Sequence, residues 1–130
     1  MTAKERAKDA RLKREYNISL EDYNKVLAYQ NNCCAICKKR FGKKGQKLIL
    51  SVDHCHTEPA VVRGLLCWPC NKAIAIFQDD AKRMAAASQY ILNPPFTVVL
   101  GAPRVTAPGK VGTKIRAKRL LKMAREKNGA

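Results

Sequence analysis

The sequence predicts an α+β fold: a short strand-turn-strand-helix core between flanking helices, followed by a basic C-terminal tail. Three observations predict it. Two C-x-x-C pairs, Cys34-Ala-Ile-Cys37 and Cys67-Trp-Pro-Cys70, bracket the middle of the chain. Between them stand two apolar runs, Leu48 to Val52 and Val61-Val62, separated by a turn at Pro59. Outside them, apolar residues recur at three- and four-residue spacing, the period of an amphipathic helix.

Composition bounds the class. With 130 residues, 46% of them apolar, there is material for one modest core and flanking arms. Lysine and arginine number 26 against 10 acidic residues, a formal charge of +16. Polyphosphate is the natural counter-charge, although RNA-coating proteins and membrane-surface segments share this balance. No run approaches the roughly 18 apolar residues of a membrane span. Met1 to Arg14 mixes charges without an apolar stretch, so no export signal and no membrane partner are expected, and a cytoplasmic location is. Six cysteines in a reducing compartment point to metal ligands in preference to disulfides.

Taken in order, residues 1–15 alternate Lys and Arg with Glu, Asp and Ala. They read as a basic N-terminal arm, a solvated helix or disordered, that contributes little core. Ser19 with Asp22 forms a helix-capping pair, and Tyr23, Val26, Leu27 and Gln30 mark a helix over 20–30 that ends near Asn31-Asn32. A cysteine knuckle and a Gly/Lys-rich loop fill 33–47. The run Leu48-Ile49-Leu50 to Val52 suits a strand, which places Asp53-His54 at its end. Val61-Val62 return as a second strand, and a helix is expected from near Asn71. Asp79 or Asp80 can cap a further helix through Met84 and Leu92, which Asn93-Pro94-Pro95 stops. Residues 93–112 read as a Pro/Gly-rich linker around an extended Val98-Val99-Leu100, and 113–130 as a basic helix or tail.

The cysteine spacing is the strongest signal. Each C-x-x-C pair can present two thiolates at about 2.3 Å to one zinc, and the two pairs together complete a tetrahedral four-sulfur site. Such a site leaves no open position for catalysis, so Zn²⁺ on Cys34, Cys37, Cys67 and Cys70 is expected as a structural staple closing the loop between the pairs. A thioredoxin-like role for one pair is disfavoured because no doubly wound α/β pattern surrounds it. Cys33 could substitute for Cys34 as a ligand; Cys55 lies outside both pairs.

Between the pairs lies Val52-Asp53-His54-Cys55-His56, a carboxylate and two imidazoles at a strand end. A carboxylate suits Mg²⁺ or Mn²⁺, and a neutral imidazole with a pKa of about 6.5 can take a proton from water. Asp53 is therefore a candidate metal ligand and His54 a candidate base. Asn71, directly after Cys70, can add an amide oxygen to the metal, and Arg63 can clamp a neighbouring phosphate. The expected chemistry is in-line hydrolysis of a phosphodiester. The competing reading has Asp53, His54 and His56 making only turn hydrogen bonds in a non-catalytic zinc module that binds DNA or RNA.

Several motifs together carry a family resemblance: Tyr16-Asn17-Ile18, Cys34-Ala-Ile-Cys37, Val52 to His56, Val62-Arg63-Gly64-Leu65-Leu66-Cys67, Cys70-Asn71 and Asp79-Asp80. Over residues 16–92 the chain resembles the recombination endonuclease VII family of phage-type HNH, or ββα-metal (His-Me finger), nucleases. The resemblance implies a zinc-bound nuclease domain over 16–92, with a divalent metal on Asp53 and Asn71, His54 as general base and His56 in support. It further implies DNA, duplex, nicked or branched, as partner, a homodimer, and a host-cell cytoplasm if the protein is phage-encoded. Departures stand at Cys55, where the family's D-H-D-H has a second Asp, at Glu58-Pro59-Ala60 in place of a Gly-containing turn, and at Ala75 where glycine is frequent. Ile74 stands where the junction-resolving member carries a catalytic glutamate, which weakens the expectation of four-way junction cleavage more than that of phosphodiester cleavage.

Overall fold

The computed structural model describes residues 1–107 and 122. The basic helix or tail expected over 113–130 lies, Lys122 apart, outside the described residues. The elements in order are α1 (Ala3–Tyr16), α2 (Leu20–Tyr29), a 3-10 turn (Lys43–Gly45), β1 (Ser51–His54), β2 (Val62–Leu66), α3 (Trp68–Ile76), α4 (Ala81–Leu92) and α5 (Pro95–Leu100). This is the α+β mixture expected, with a two-stranded sheet followed by a helix. The chain divides into two units, Met1–Ala86 and Ala87–Ala130.

In the first unit, α1 begins with a reciprocal cap. The Glu5 amide donates to Thr2 Oγ1 at 3.1 Å and the Thr2 amide to Glu5 Oε2 at 2.7 Å. Lys13 and Arg14 in its last turn complement the helix dipole. The expectation that residues 1–15 add little core is corrected here, because Leu12 is only 1% exposed and packs in the central cluster with Tyr23, Leu50, Val52 and Leu65. One leucine on an otherwise charged helix anchors it, and burying it contributes about 1.5–3 kcal/mol. Asp9 ties α1 to α2 by accepting from the Leu20 amide at 2.8 Å.

The Ser19/Asp22 capping box forms as expected. Tyr23 is buried, and its hydroxyl donates to the Leu50 carbonyl at 2.6 Å, tying α2 to the chain entering β1. Asn31 and Asn32 both adopt left-handed backbone, which asparagine tolerates better than most residues, and so end α2 where expected.

β1 and β2 pair antiparallel, with Ser51 opposite Leu66, Val52 opposite Leu65, Asp53 opposite Gly64 and His54 opposite Val62. The strand starts later than the apolar run implies: Leu48 donates instead to the Arg40 carbonyl at 2.9 Å, and Ile49 is 86% exposed. The register breaks between Asp53 and His54, so Arg63 is an extra residue with no opposite number, a β-bulge. Gln30 occupies the other edge of β2, its Oε1 accepting from the Leu65 amide at 2.9 Å and its Nε2 donating to the Leu65 carbonyl at 2.8 Å. A side-chain amide here substitutes for a third strand. A Cβ at Gly64 would come within 3.3 Å of Gln30 Oε1, so glycine keeps this pairing close.

The third helix starts at Trp68, three residues before the expected start near Asn71, with Pro69 in its first turn, where a missing amide hydrogen costs nothing. The Cys67-x-x-Cys70 knuckle is thus the helix start itself. α3 packs against β1, and Ile74 packs against the core.

In the second unit, Asn93-Pro94-Pro95 stops α4 after Leu92 as expected, but Val98-Val99-Leu100 are helical rather than extended. Pro95 opens α5 and Gly101, at φ 77°, closes it, so local start and stop signals outweigh the β-branched pair. Among the described residues, no helix is long and apolar enough to cross a membrane.

Candidate active site

The Asp53-His54 site lies at one end of the two-stranded sheet, and the second cysteine knuckle begins at the other, where Cys67 follows Leu66 opposite Ser51. The ligand atoms of Cys34, Cys37, Cys67 and Cys70 all lie within 4.8 Å of one another. Cys37 Sγ and Cys67 Sγ are 3.7 Å apart, close to the roughly 3.8 Å edge of a tetrahedron with about 2.3 Å zinc–sulfur bonds. The first knuckle is attached to the sheet through the Ala35 amide, which donates to the Leu65 carbonyl at 3.2 Å. Burial opposes ionisation of Cys34, yet the amides of Cys67, Cys37 and Ile36 outweigh it and bring its thiol down to about 6. Burial pushes Cys67 and Cys70 up, and for Cys70 the neighbouring sulfurs push the same way. One sulfur thus ionises readily while crowded partners resist, a donor set that a divalent cation completes; these four cysteines suggest a structural zinc. Cys33 lies elsewhere, its thiol donating to the Gln30 carbonyl at 2.7 Å.

Asp53 is 4% exposed at the end of β1. Arg63 reaches it with two bonds, Nε to Oδ2 at 2.7 Å and Nη2 to Oδ1 at 3.1 Å. In an unbroken ladder Arg63 would lie opposite His54, and the bulge instead re-aims its guanidinium at Asp53. The same Nη2 donates to Asp79 Oδ1 at 3.0 Å, and Asp79 Oδ2 lies 2.7 Å from His56 Nδ1. A continuous polar chain therefore runs Asp53–Arg63–Asp79–His56. His56, then Arg63, hold the Asp79 carboxyl below the usual carboxylate range, and Asp53 first among its contacts holds Arg63 more firmly protonated than usual.

His54 is half-buried. Its ring centroid lies 5.3 Å from that of His56 and 6.0 Å from that of Tyr16. A groove of about 380 Å³, whose lining includes Lys13, Arg14, Glu15, Tyr16, Asn17 and Val62, opens onto it. Asn71 stands on α3, which packs against β1 and so against the strand that bears Asp53 and His54. Cys55 faces the turn: the Thr57 hydroxyl, then the amides of Val61 and Thr57, bring its thiol down to about 7.

Of the residues named from sequence, Asp53, His54, His56 and Arg63 thus meet at one strand end. Two that bear on the site were not given a role there. Asp79 entered only as a cap and as part of a motif, and it is the residue that joins Arg63 to His56; the adjacent Asp80 does the capping, accepting from the Arg83 amide at 3.1 Å. Tyr16 entered only as a motif residue, and it stands beside His54.

The model of the family described as recombination endonuclease VII matches residues 9–93. The chain is 37% identical over 94 residues to the Gene 59 protein of Mycobacterium phage L5, covering 72% of this chain and 55% of that protein. It is likewise 37% identical over 94 residues to the Gene 59 protein of Mycobacterium phage D29, covering 72% and 54%. The chain therefore spans about half the length of these curated relatives. No solved structure matches it. The matched segment contains both cysteine knuckles, the Asp53-His54 strand end and Asp79, and on that match the chain belongs to the recombination endonuclease VII family.

Proposed function

We propose that this protein is a metal-dependent DNA endonuclease of the HNH type that hydrolyses phosphodiester bonds. The observation that carries the reading is the convergence of Asp53, Arg63, Asp79, His56 and His54 at one strand end. Four cysteines staple the start of α3 to the knuckle at Cys34, and this fixes the helix that bears Asn71 against β1. Asp53 and Asn71 offer the hard oxygen donors that Mg²⁺ or Mn²⁺ prefer. A carboxylate has about four lone-pair sites, so the two bonds from Arg63 leave sites on Asp53 for a metal. When bound there, the ion would supply positive charge against the charge building on the phosphate and the departing 3′-oxygen.

The chain's own residues do the rest. His54, open to the groove, takes the proton of the attacking water. His56, tethered by Asp79, supports the site beside it. Arg63 holds Asp53 in place and adds positive charge for a neighbouring phosphate. Lys13 and Arg14, on the groove wall, offer phosphate contacts that position the backbone without reading sequence. A homodimer would let two such sites act on opposing strands, and it is tested by molar mass in solution.

One observation favours the non-catalytic alternative, a zinc-stabilised DNA- or RNA-binding module: Asp53 is already satisfied by Arg63. Plasmid cleavage separates the two. The nuclease converts supercoiled plasmid with Mg²⁺ or Mn²⁺ and not with EDTA, and His54→Ala loses about 10²- to 10⁴-fold in rate with zinc content and DNA binding intact. Absence of cleavage with either metal, or full activity in His54→Ala, overturns the reading. A four-way junction, a plain duplex and a single strand run in parallel rank the substrates.

A further inference from the structure

The chain has a single tryptophan, Trp68, and it is 67% exposed. An indole is among the largest sources of burial energy a protein has, so one left in water is available to something else. Trp68 stands in the first turn of α3 between Cys67 and Cys70, two members of the thiol cluster, so its backbone is held from both sides. Lys72, one turn on, places its ammonium 4.8 Å from the ring centroid. With one face of the ring under a cation, two-thirds exposure leaves the opposite face open. Residues three and four apart share a helix face, so Trp68, Asn71 and Lys72 lie on one side of α3.

A rigid, open π-face beside a fixed cation suits one ligand chemistry in a chain of charge +16. An unpaired nucleobase stacks on the ring whatever its identity, and the ammonium takes up the charge of its phosphate. A base inside a duplex has both faces already stacked and gains nothing from the ring. We propose that Trp68 and Lys72 form a stacking platform for an unpaired base of DNA. This rests on the DNA-cleavage reading above and adds to it a contact made by residues given no role there.

The test uses the full zinc-loaded chain carrying His54→Ala, which binds without cutting. It is titrated with a short duplex, the same duplex with a central unpaired thymine segment, and the same single strand as DNA and as RNA. Emission is followed alongside anisotropy of labelled nucleic acid, and as the only tryptophan, Trp68 reports this surface alone. The expected result is quenching by the unpaired segment and tighter binding to it than to the duplex. Trp68→Ala removes roughly five- to hundredfold of that preference, Trp68→Phe keeps part of it, and Lys72→Ala weakens it. Equal zinc content in all variants excludes loss of the fold as the cause. Unchanged emission with every DNA, a full preference in Trp68→Ala, or quenching by RNA alone overturns the proposal. Wild-type plasmid cleavage is scored separately: cutting without the preference leaves the nuclease and removes the platform, whereas quenching without cutting leaves the platform and removes the nuclease.

Discussion

Arg63 grips the buried carboxylate of Asp53 through two hydrogen bonds, and it does so from a position that the β-bulge leaves without a cross-strand partner. Removing one member of such a pair strands the other. Arg63→Ala is expected to lower stability by about 3 kcal/mol, near the low end for a broken buried pair because the Arg63 side chain is 35% exposed. Arg63→Lys keeps the charge but not the fork, and should recover part of the stability with little of the cleavage. Urea unfolding with plasmid cleavage checks both. If Arg63→Ala and Asp53→Asn losses simply add in the double variant, the two residues are not coupled.

Asp79 carries the next expectation. His56 first, and Arg63 second, depress its carboxyl below the ordinary value of 3.8. A depressed acid stabilises the fold fully above its unfolded value and loses that contribution as pH falls through its folded value. The Tm gap between wild type and Asp79→Asn should therefore shrink as pH falls below about 4. A gap that widens below that pH would contradict the sign. Asp79→Asn should also slow cleavage by loosening His56.

The same residues mark what could be read from sequence. Cysteine pairs at three-residue spacing are local, so the cluster of four thiols and the strand between the pairs were legible at once. Asp53 and His54 stood out as candidates because a carboxylate and an imidazole stand side by side, and they lie together at the end of β1. The Arg63–Asp53 grip was not, because alternation alone sets Arg63 opposite His54 and only the register break re-aims it. Asp79 was not legible either: its partners lie 16 and 23 residues away, and no glycine advertises the turn that delivers it. Leu12 was hidden by its charged neighbours, since one apolar residue makes no period.

Cys33 and Cys34 are adjacent and chemically alike, but geometry separates them. Cys34 sits in the thiol cluster, while the Cys33 thiol is spent on the Gln30 carbonyl. Cys34→Ser is expected to abolish stoichiometric zinc and to unfold the core, because a structural zinc contributes its binding energy to folding. Cys33→Ser should keep full zinc content and lose about 1 kcal/mol or less, the net worth of one hydrogen bond. Metal analysis of the two purified proteins decides, and the reverse pattern would move the ligand assignment to Cys33.

The turn that delivers Asp79 supplies the last expectation. The Asp79 amide donates to the Ile74 carbonyl at 2.9 Å and the Gln78 amide to the Ala75 carbonyl at 2.9 Å, the pair of bonds that closes a helix in a Schellman motif. Gln78 holds the left-handed position at φ 57°, where a side chain costs about 1 kcal/mol relative to glycine. Gln78→Gly should therefore raise Tm by roughly 4 °C, less the small loss of the exposed Arg83 bond to Gln78 Oε1. Asp79 keeps its own backbone and partners in that variant, so cleavage should be retained. A lower Tm would mean that Gln78 earns its place through its side chain. Raised stability with lost cleavage would mean that the strained residue holds Asp79 on Arg63 and His56, and that the turn belongs to the site as much as the carboxylate does.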